Sequence, residues 1–83
     1  MPLETLRSNI KYLKKKKGFT RRDVGKLLGV GIRLCDTWYS GRSIPKTPDL
    51  EKLSQLYGIT IDDLVRVDLK NERLNKFKIF MYV

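Results

Sequence analysis

An all-α fold is predicted by three observations. Apolar residues recur at helical spacing in five successive segments, and Thr or Thr-Pro caps open the later ones. Glycines 18, 29, 41 and 58 fall just where four of these segments lose their periodicity. The expected architecture is a compact five-helix bundle over residues 1–68, built around a central helix pair, with a short extension over residues 69–83.

Leu3, Leu6, Ile10 and Leu13 mark the first amphipathic helix, flanked by Arg7, Lys11 and Lys14. It runs into four lysines, Lys14 to Lys17, which suit the negative end of a helix dipole, and stops at Gly18. Phe19 is placed to pack back on that helix before the next begins.

Residues 20–41, TRRDVGKLLGVGIRLCDTWYSG, read as two short helices joined by a tight turn. Thr20 and Asp23 have capping-box spacing. Val24, Leu27 and Leu28 follow on one face, and Gly29 ends the helix in the left-handed conformation that lacks a Cβ penalty. Val30 tucks under the turn. The second helix of the pair starts near Gly31 or Ile32, with Leu34, Cys35 and Trp38 expected inside, and closes at Gly41. Helices this short need a platform from the flanking chain.

Two prolines stiffen the loop Ile44 to Pro48, where Thr47 as N-cap and Pro48 at the first helical position open a fourth helix. Its stripe is Leu50, Leu53, Leu56 and Tyr57, and Gly58 ends it. Thr60 and Asp63 repeat the capping-box spacing ahead of a fifth helix with Ile61, Leu64 and Val65 on its apolar side. In the extension, Lys76 to Ile79 alternates and Phe80 to Val83 is apolar, too short a pattern to separate strand from helix. Such a tail must pair with another chain, giving a homodimer interface, or cap its own core.

With 83 residues there is room for one small core. The formal charge is +9, carried by 18 Lys and Arg against 9 Asp and Glu. Residues 1–48 hold 12 basic and 3 acidic side chains, whereas residues 49–83 hold 6 of each. The excess therefore lies in the half of the chain that contains the helix pair, as expected if that half faces a polyanion. One cysteine, Cys35, permits no intrachain disulfide or cysteine-based zinc site and suits a reducing cytoplasm. No segment has the length of a signal peptide's apolar region or of a membrane span.

The helix pair resembles the helix-turn-helix of phage repressor/Cro-type regulators. That family's cap, following polar residue, small residue, turn glycine and inward apolar residue fall on Thr20, Arg21, Gly25, Gly29 and Cys35. Its glycine–basic–x–x–proline exit falls on Gly41, Arg42, Ser43, Ile44 and Pro45. In register from about Leu6 to Val65, the likeness covers most of the chain. It implies double-stranded DNA as partner, a homodimer, and a sequence-specific transcriptional regulator, a repressor in the first instance. Gly31, Ile32, Arg33, Asp36 and Thr37 would then face bases, since a recognition helix enters the major groove by its N-terminal end. Arg33 can donate twice to guanine, Ile32 can touch a thymine methyl, and Asp36 can accept from cytosine or orient Arg33 or Arg22. Phosphates would fall to Arg21, Arg22, Arg42, Ser43 and Lys46, with Lys14 and Lys17 next.

Departures from the family pattern are specific. Arg21 replaces a frequent glutamine, Gly25 replaces a frequent alanine, and Lys14 and Tyr39 stand where an Arg–Glu pair often ties the first helix to the recognition helix. The alternative reading keeps the fold but makes it a protein-interaction module, antitoxin-like or a complex subunit, with non-specific DNA binding only. A membrane-surface role for the first helix is disfavoured, because Leu6, Ile10 and Leu13 are needed in the core. No enzyme is expected: the chain has no His, no Cys–His pair and no phosphate-cradling glycine loop, and Asp62-Asp63 are first-turn helix acids. Neither a metal, a cofactor nor a small-molecule ligand is expected.

Overall fold

The structure, a computed structural model, describes residues 3–71, with the Leu3 side chain excepted. Five helices follow one another: α1 (Leu3–Lys16), α2 (Arg21–Leu28), α3 (Ile32–Ser40), α4 (Thr47–Tyr57) and α5 (Ile61–Arg66). The expected all-α bundle is found. The alternating and aromatic stretch over 76–83, with the strand, helix and dimer readings attached to it, lies outside the described residues.

Local chemistry accounts for the boundaries. Thr20 Oγ1 accepts from the Asp23 amide at 3.1 Å and the Asp23 carboxylate accepts from the Thr20 amide at 2.8 Å, so the capping box of α2 is complete. Gly18, Gly29, Gly41 and Gly58 all take positive φ, between 67° and 82°. Thr60 Oγ1 receives the Asp63 amide at the start of α5. At α4 the boundary moves by one residue: Lys46 occupies the N-cap, Thr47 is already helical, and Pro48 sits in the first turn, where its missing N–H costs no bond.

The core is filled from all five helices. Leu6, Ile10 and Leu13 of α1 meet Leu64 and Val65 of α5, Val24 and Leu28 of α2, Cys35, Trp38 and Tyr39 of α3, and Leu50, Leu53 and Tyr57 of α4. Leu69 joins them at the end of the described chain. Phe19 is half-buried, its ring 6.3 Å from that of Tyr57. Two expected inward residues are not in this core. Leu27 is 56% exposed and Leu34 is 43% exposed. The inward face of α2 is Val24, Gly25 and Leu28, and that of α3 is Cys35, Trp38 and Tyr39. A step of one residue rotates a side chain about 100° around the helix, which carries Leu27 and Leu34 off the buried stripe.

One core residue is polar. Asn9 is fully buried between α1 and the C-terminal end of α5. Its Nδ2 donates to the carbonyls of Leu64 at 2.7 Å and Val67 at 2.5 Å, while Oδ1 accepts from the Leu69 amide at 3.0 Å. These bonds satisfy backbone groups that the end of α5 leaves without intrahelical partners. Asn9 thereby fixes the chain after α5 against α1. No helix among the described residues is long and apolar enough to cross a membrane.

Candidate nucleic-acid interface

The α2–α3 pair presents one face to the core and the other to solvent. Burial of Trp38 and Cys35, 2% and 0% exposed, holds α3 by its inner side. Burial also pushes the Cys35 thiol up from its ordinary pKa, so it stays a neutral, core-packing group. Gly31 forms the N-cap of α3 without a side-chain bond, leaving this end of the helix open at the surface.

Along the solvent side of α3 and at its two ends the structure gathers most of the residues that the sequence singles out. Arg33, Asp36, Thr37 and Arg42 line a shallow cleft of about 440 Å³ together with Ser40. Gly31 and Ile32 line a neighbouring one of about 520 Å³ with Arg22, Gly25, Lys26, Gly29 and Val30. Gly31 and Arg33 are exposed, and Ile32, Asp36 and Thr37 are partly so. Among the described residues, Arg22, Arg33, Arg42 and Lys46 have no carboxylate within ion-pairing distance. Their cations face solvent.

Other expected contacts already have partners within the protein. Arg21 Nη1 donates to Asp36 Oδ2 at 2.8 Å, an ion pair that spans the two helices. Asp36 thus orients Arg21, not Arg33 or Arg22. Thr37 Oγ1 donates to the Leu34 carbonyl at 2.6 Å and lies 2.7 Å from Ser43 Oγ. With the threonine proton committed to Leu34, the Ser43 hydroxyl is the donor between the two. The Thr37 carbonyl in turn accepts from the amides of Arg42 at 2.9 Å and Ser43 at 3.2 Å. Thr37 therefore ties the exit loop, with Arg42 on it, to α3.

Lys14 is half-buried and its Nζ lies 4.7 Å from the centre of the Tyr39 ring. A cation–π contact joins α1 to the end of α3 where the family often has an ion pair. Burial raises the Tyr39 phenol well above its ordinary range, and its hydroxyl has no protein hydrogen-bond partner among the described residues. Lys17, by contrast, is exposed.

Sequence reasoning passes over Arg7, Lys26 and Ser40. Arg7 Nη1 reaches the Ser40 carbonyl at the C-terminal end of α3 at 3.4 Å, a second tie from α1 to this helix. Its signal is positional: Arg7 and Lys14 are two helical turns apart and lie on the same side of α1. Lys26 follows Arg22 by one turn, so both lysine and arginine flank the same cleft.

The geometry is that of a helix held from behind with its leading end open, and the comparisons agree. A family model described as helix-turn-helix matches residues 10–64. The chain belongs to this family of DNA-binding domains, of the Cro/CI type. It is also similar to the crystal structure of a transcriptional regulator from Listeria innocua, with TM-score 0.68 and 26% identity over 92% of this chain and 88% of that one. No curated protein matches the chain.

Proposed function

We propose that the protein is a sequence-specific regulator of transcription that lays the N-terminal half of α3 in the major groove and represses by occupying its site. The observation that carries this reading is the exposed Arg33 at the open end of a helix whose opposite side is locked into the core. From there its guanidinium can donate twice to one guanine. Ile32 and the Thr37 methyl offer apolar contacts to thymine, and Gly31 lets the backbone approach closely.

Phosphate anchoring falls to Arg22 on one side of α3 and to Arg42 and Lys46 on the other, with Lys17 beyond. Binding as a homodimer would set two such helices on half-sites about 34–36 Å apart. The similarity to a transcriptional regulator along nearly the whole chain supports the regulatory role.

Selection of bound duplexes from a random pool is the direct test. A two-fold symmetric consensus is expected, and Arg33→Ala should flatten discrimination at one or two positions of each half-site. Unchanged base preference in that variant would sink the docking assigned to α3.

A further inference from the structure

We propose that Arg21 and Asp36 form a single reading unit, in which Arg21 positions Asp36 to accept a hydrogen bond from the exocyclic amino group of cytosine. The inference rests on α3 entering the major groove as above, and it assigns a base to a residue whose role the docking alone leaves open.

A carboxylate in a groove lined by phosphates is unfavourable unless its charge is offset and its oxygens receive donors. Asp36 is the one acid among the five residues lining the cleft at α3, beside Arg33, Thr37, Ser40 and Arg42. Arg21 supplies the offset at 2.8 Å, and it comes from the first turn of α2, not from α3. That contact occupies Oδ2 and leaves Oδ1 as an acceptor. In the major groove the amino groups of cytosine and adenine are donors, whereas guanine and thymine present carbonyl acceptors at the equivalent place. A lone acceptor oxygen therefore favours cytosine and rejects guanine and thymine. Adenine is better matched by an amide that can bond N6 and N7 together.

Arg21 itself has further N–H donors beyond the one given to Asp36. Its place in the first turn of α2, where the amides of Arg21 and Arg22 lie outside the capping box and ahead of the first intrahelical bond, suits a phosphate on the flanking backbone. The contacts then run from phosphate to Arg21, to Asp36, to base, so the register of the backbone fixes which base Asp36 meets. Arg21 is a positioning residue in this scheme and its loss changes base choice. A simple phosphate anchor would change affinity alone.

The test is duplex selection with the full chain and with Arg21→Ala, Arg21→Lys, Asp36→Asn and the Arg21→Ala/Asp36→Asn double variant, followed by affinity measurements on the selected site and its single-base changes. Wild type should prefer cytosine at one position per half-site by on the order of tenfold. Asp36→Asn should move that preference to adenine. Arg21→Ala should erase the cytosine preference at the same position, Arg21→Lys should restore it in part, and the double variant should show less than the product of the two single effects. Uniform weakening by Arg21→Ala with cytosine preference intact, or multiplicative single effects, would overturn the unit while leaving the α3 docking in place. Loss of all base preference already in wild type would overturn the docking, and this inference with it.

Discussion

Asn9 and the Arg21–Asp36 pair each tie two helices together through polar atoms, but under opposite conditions. Asn9 is sealed in the core, with three hydrogen bonds to backbone groups at the end of α5. Arg21 and Asp36 meet at the surface, with side chains 61% and 37% exposed. In the core no water replaces a lost partner, so each bond is expensive to break. At the surface water competes, so the pair is cheap to rearrange. The α1–α5 side of this domain is thus held by polar bonds that are costly to lose, and the α2–α3 face by one that is cheap to lose.

The most direct way to break that contrast is Asn9→Ala. It leaves two carbonyls and one amide without their partner in a buried site. The expected loss is about 3 kcal/mol of folding stability, given ~1–3 kcal/mol per stranded buried group and some relaxation. Thermal unfolding monitored by circular dichroism reads this as a fall of well over ten degrees, at about 4–8 °C per kcal/mol for a domain of this size. A fall of only a few degrees would mean that the end of α5 is held by apolar packing alone.

Gly41 lies at the junction of the two regions and should behave in between. It ends α3 with φ +82°, and an added Cβ would come within 3.0 Å of Arg7 Nη1. Gly41→Ala combines left-handed strain of about 1–2 kcal/mol with displacement of the Arg7 guanidinium from the Ser40 carbonyl. It should lower thermal stability and also weaken DNA binding, because Arg42 follows directly. Loss of stability with unaltered binding would separate the α3 terminus from the phosphate contact proposed for Arg42.

Alkaline pH sharpens the comparison without a cavity. Burial, and then the nearby Cys35, push the Tyr57 phenol up to about 12 from an ordinary value near 10. A folded-state pKa above the unfolded one means stability is complete below pH ~10 and declines as pH rises towards 12, because the unfolded chain loses its proton first. Tyr39 moves the same way. Tyr57→Phe should therefore flatten the alkaline limb of a denaturation profile, and a profile identical to wild type would place the titrating group elsewhere. On the acid side the sign reverses. Hydrogen bonds from the Thr20 backbone and hydroxyl hold the Asp23 carboxyl below its usual value, so its contribution is present above pH ~4 and fades as the pH falls further.

The two regions were also unequally legible in the sequence. Capping boxes and left-handed glycines act over three or four residues, so helix ends could be read from Thr20, Asp23, Gly29 and Gly41 directly. Helical periodicity likewise found Leu6, Ile10, Leu13, Trp38 and Leu53. It overreached at Leu27 and Leu34, because an eight- or nine-residue helix has too few turns to define its inner stripe within one position. Asn9 left no local signal. Its partners are 55 to 60 residues away, and only the packing of α1 on α5 makes an amide there necessary. At the exposed α2–α3 face the residue types were legible while the pairing was not. That Asp36 takes Arg21, and that Thr37 takes Ser43, depends on the crossing of α2 and α3 and on the path of the exit loop.

The smallest stability effect expected is that of Asp36→Asn, and its smallness is informative. An exposed ion pair is worth ~0.2–1 kcal/mol after screening and side-chain entropy, and the amide retains a hydrogen bond to Arg21. Thermal unfolding should thus shift by no more than a few degrees, and less still at high salt. Against Asn9→Ala, this sets a large structural loss beside a negligible one for two interhelical polar ties of similar length. Were Asp36→Asn to cost as much as Asn9→Ala, the Arg21–Asp36 contact would be part of what folds the domain, and the division between a costly core tie and a cheap surface tie would have no energetic basis.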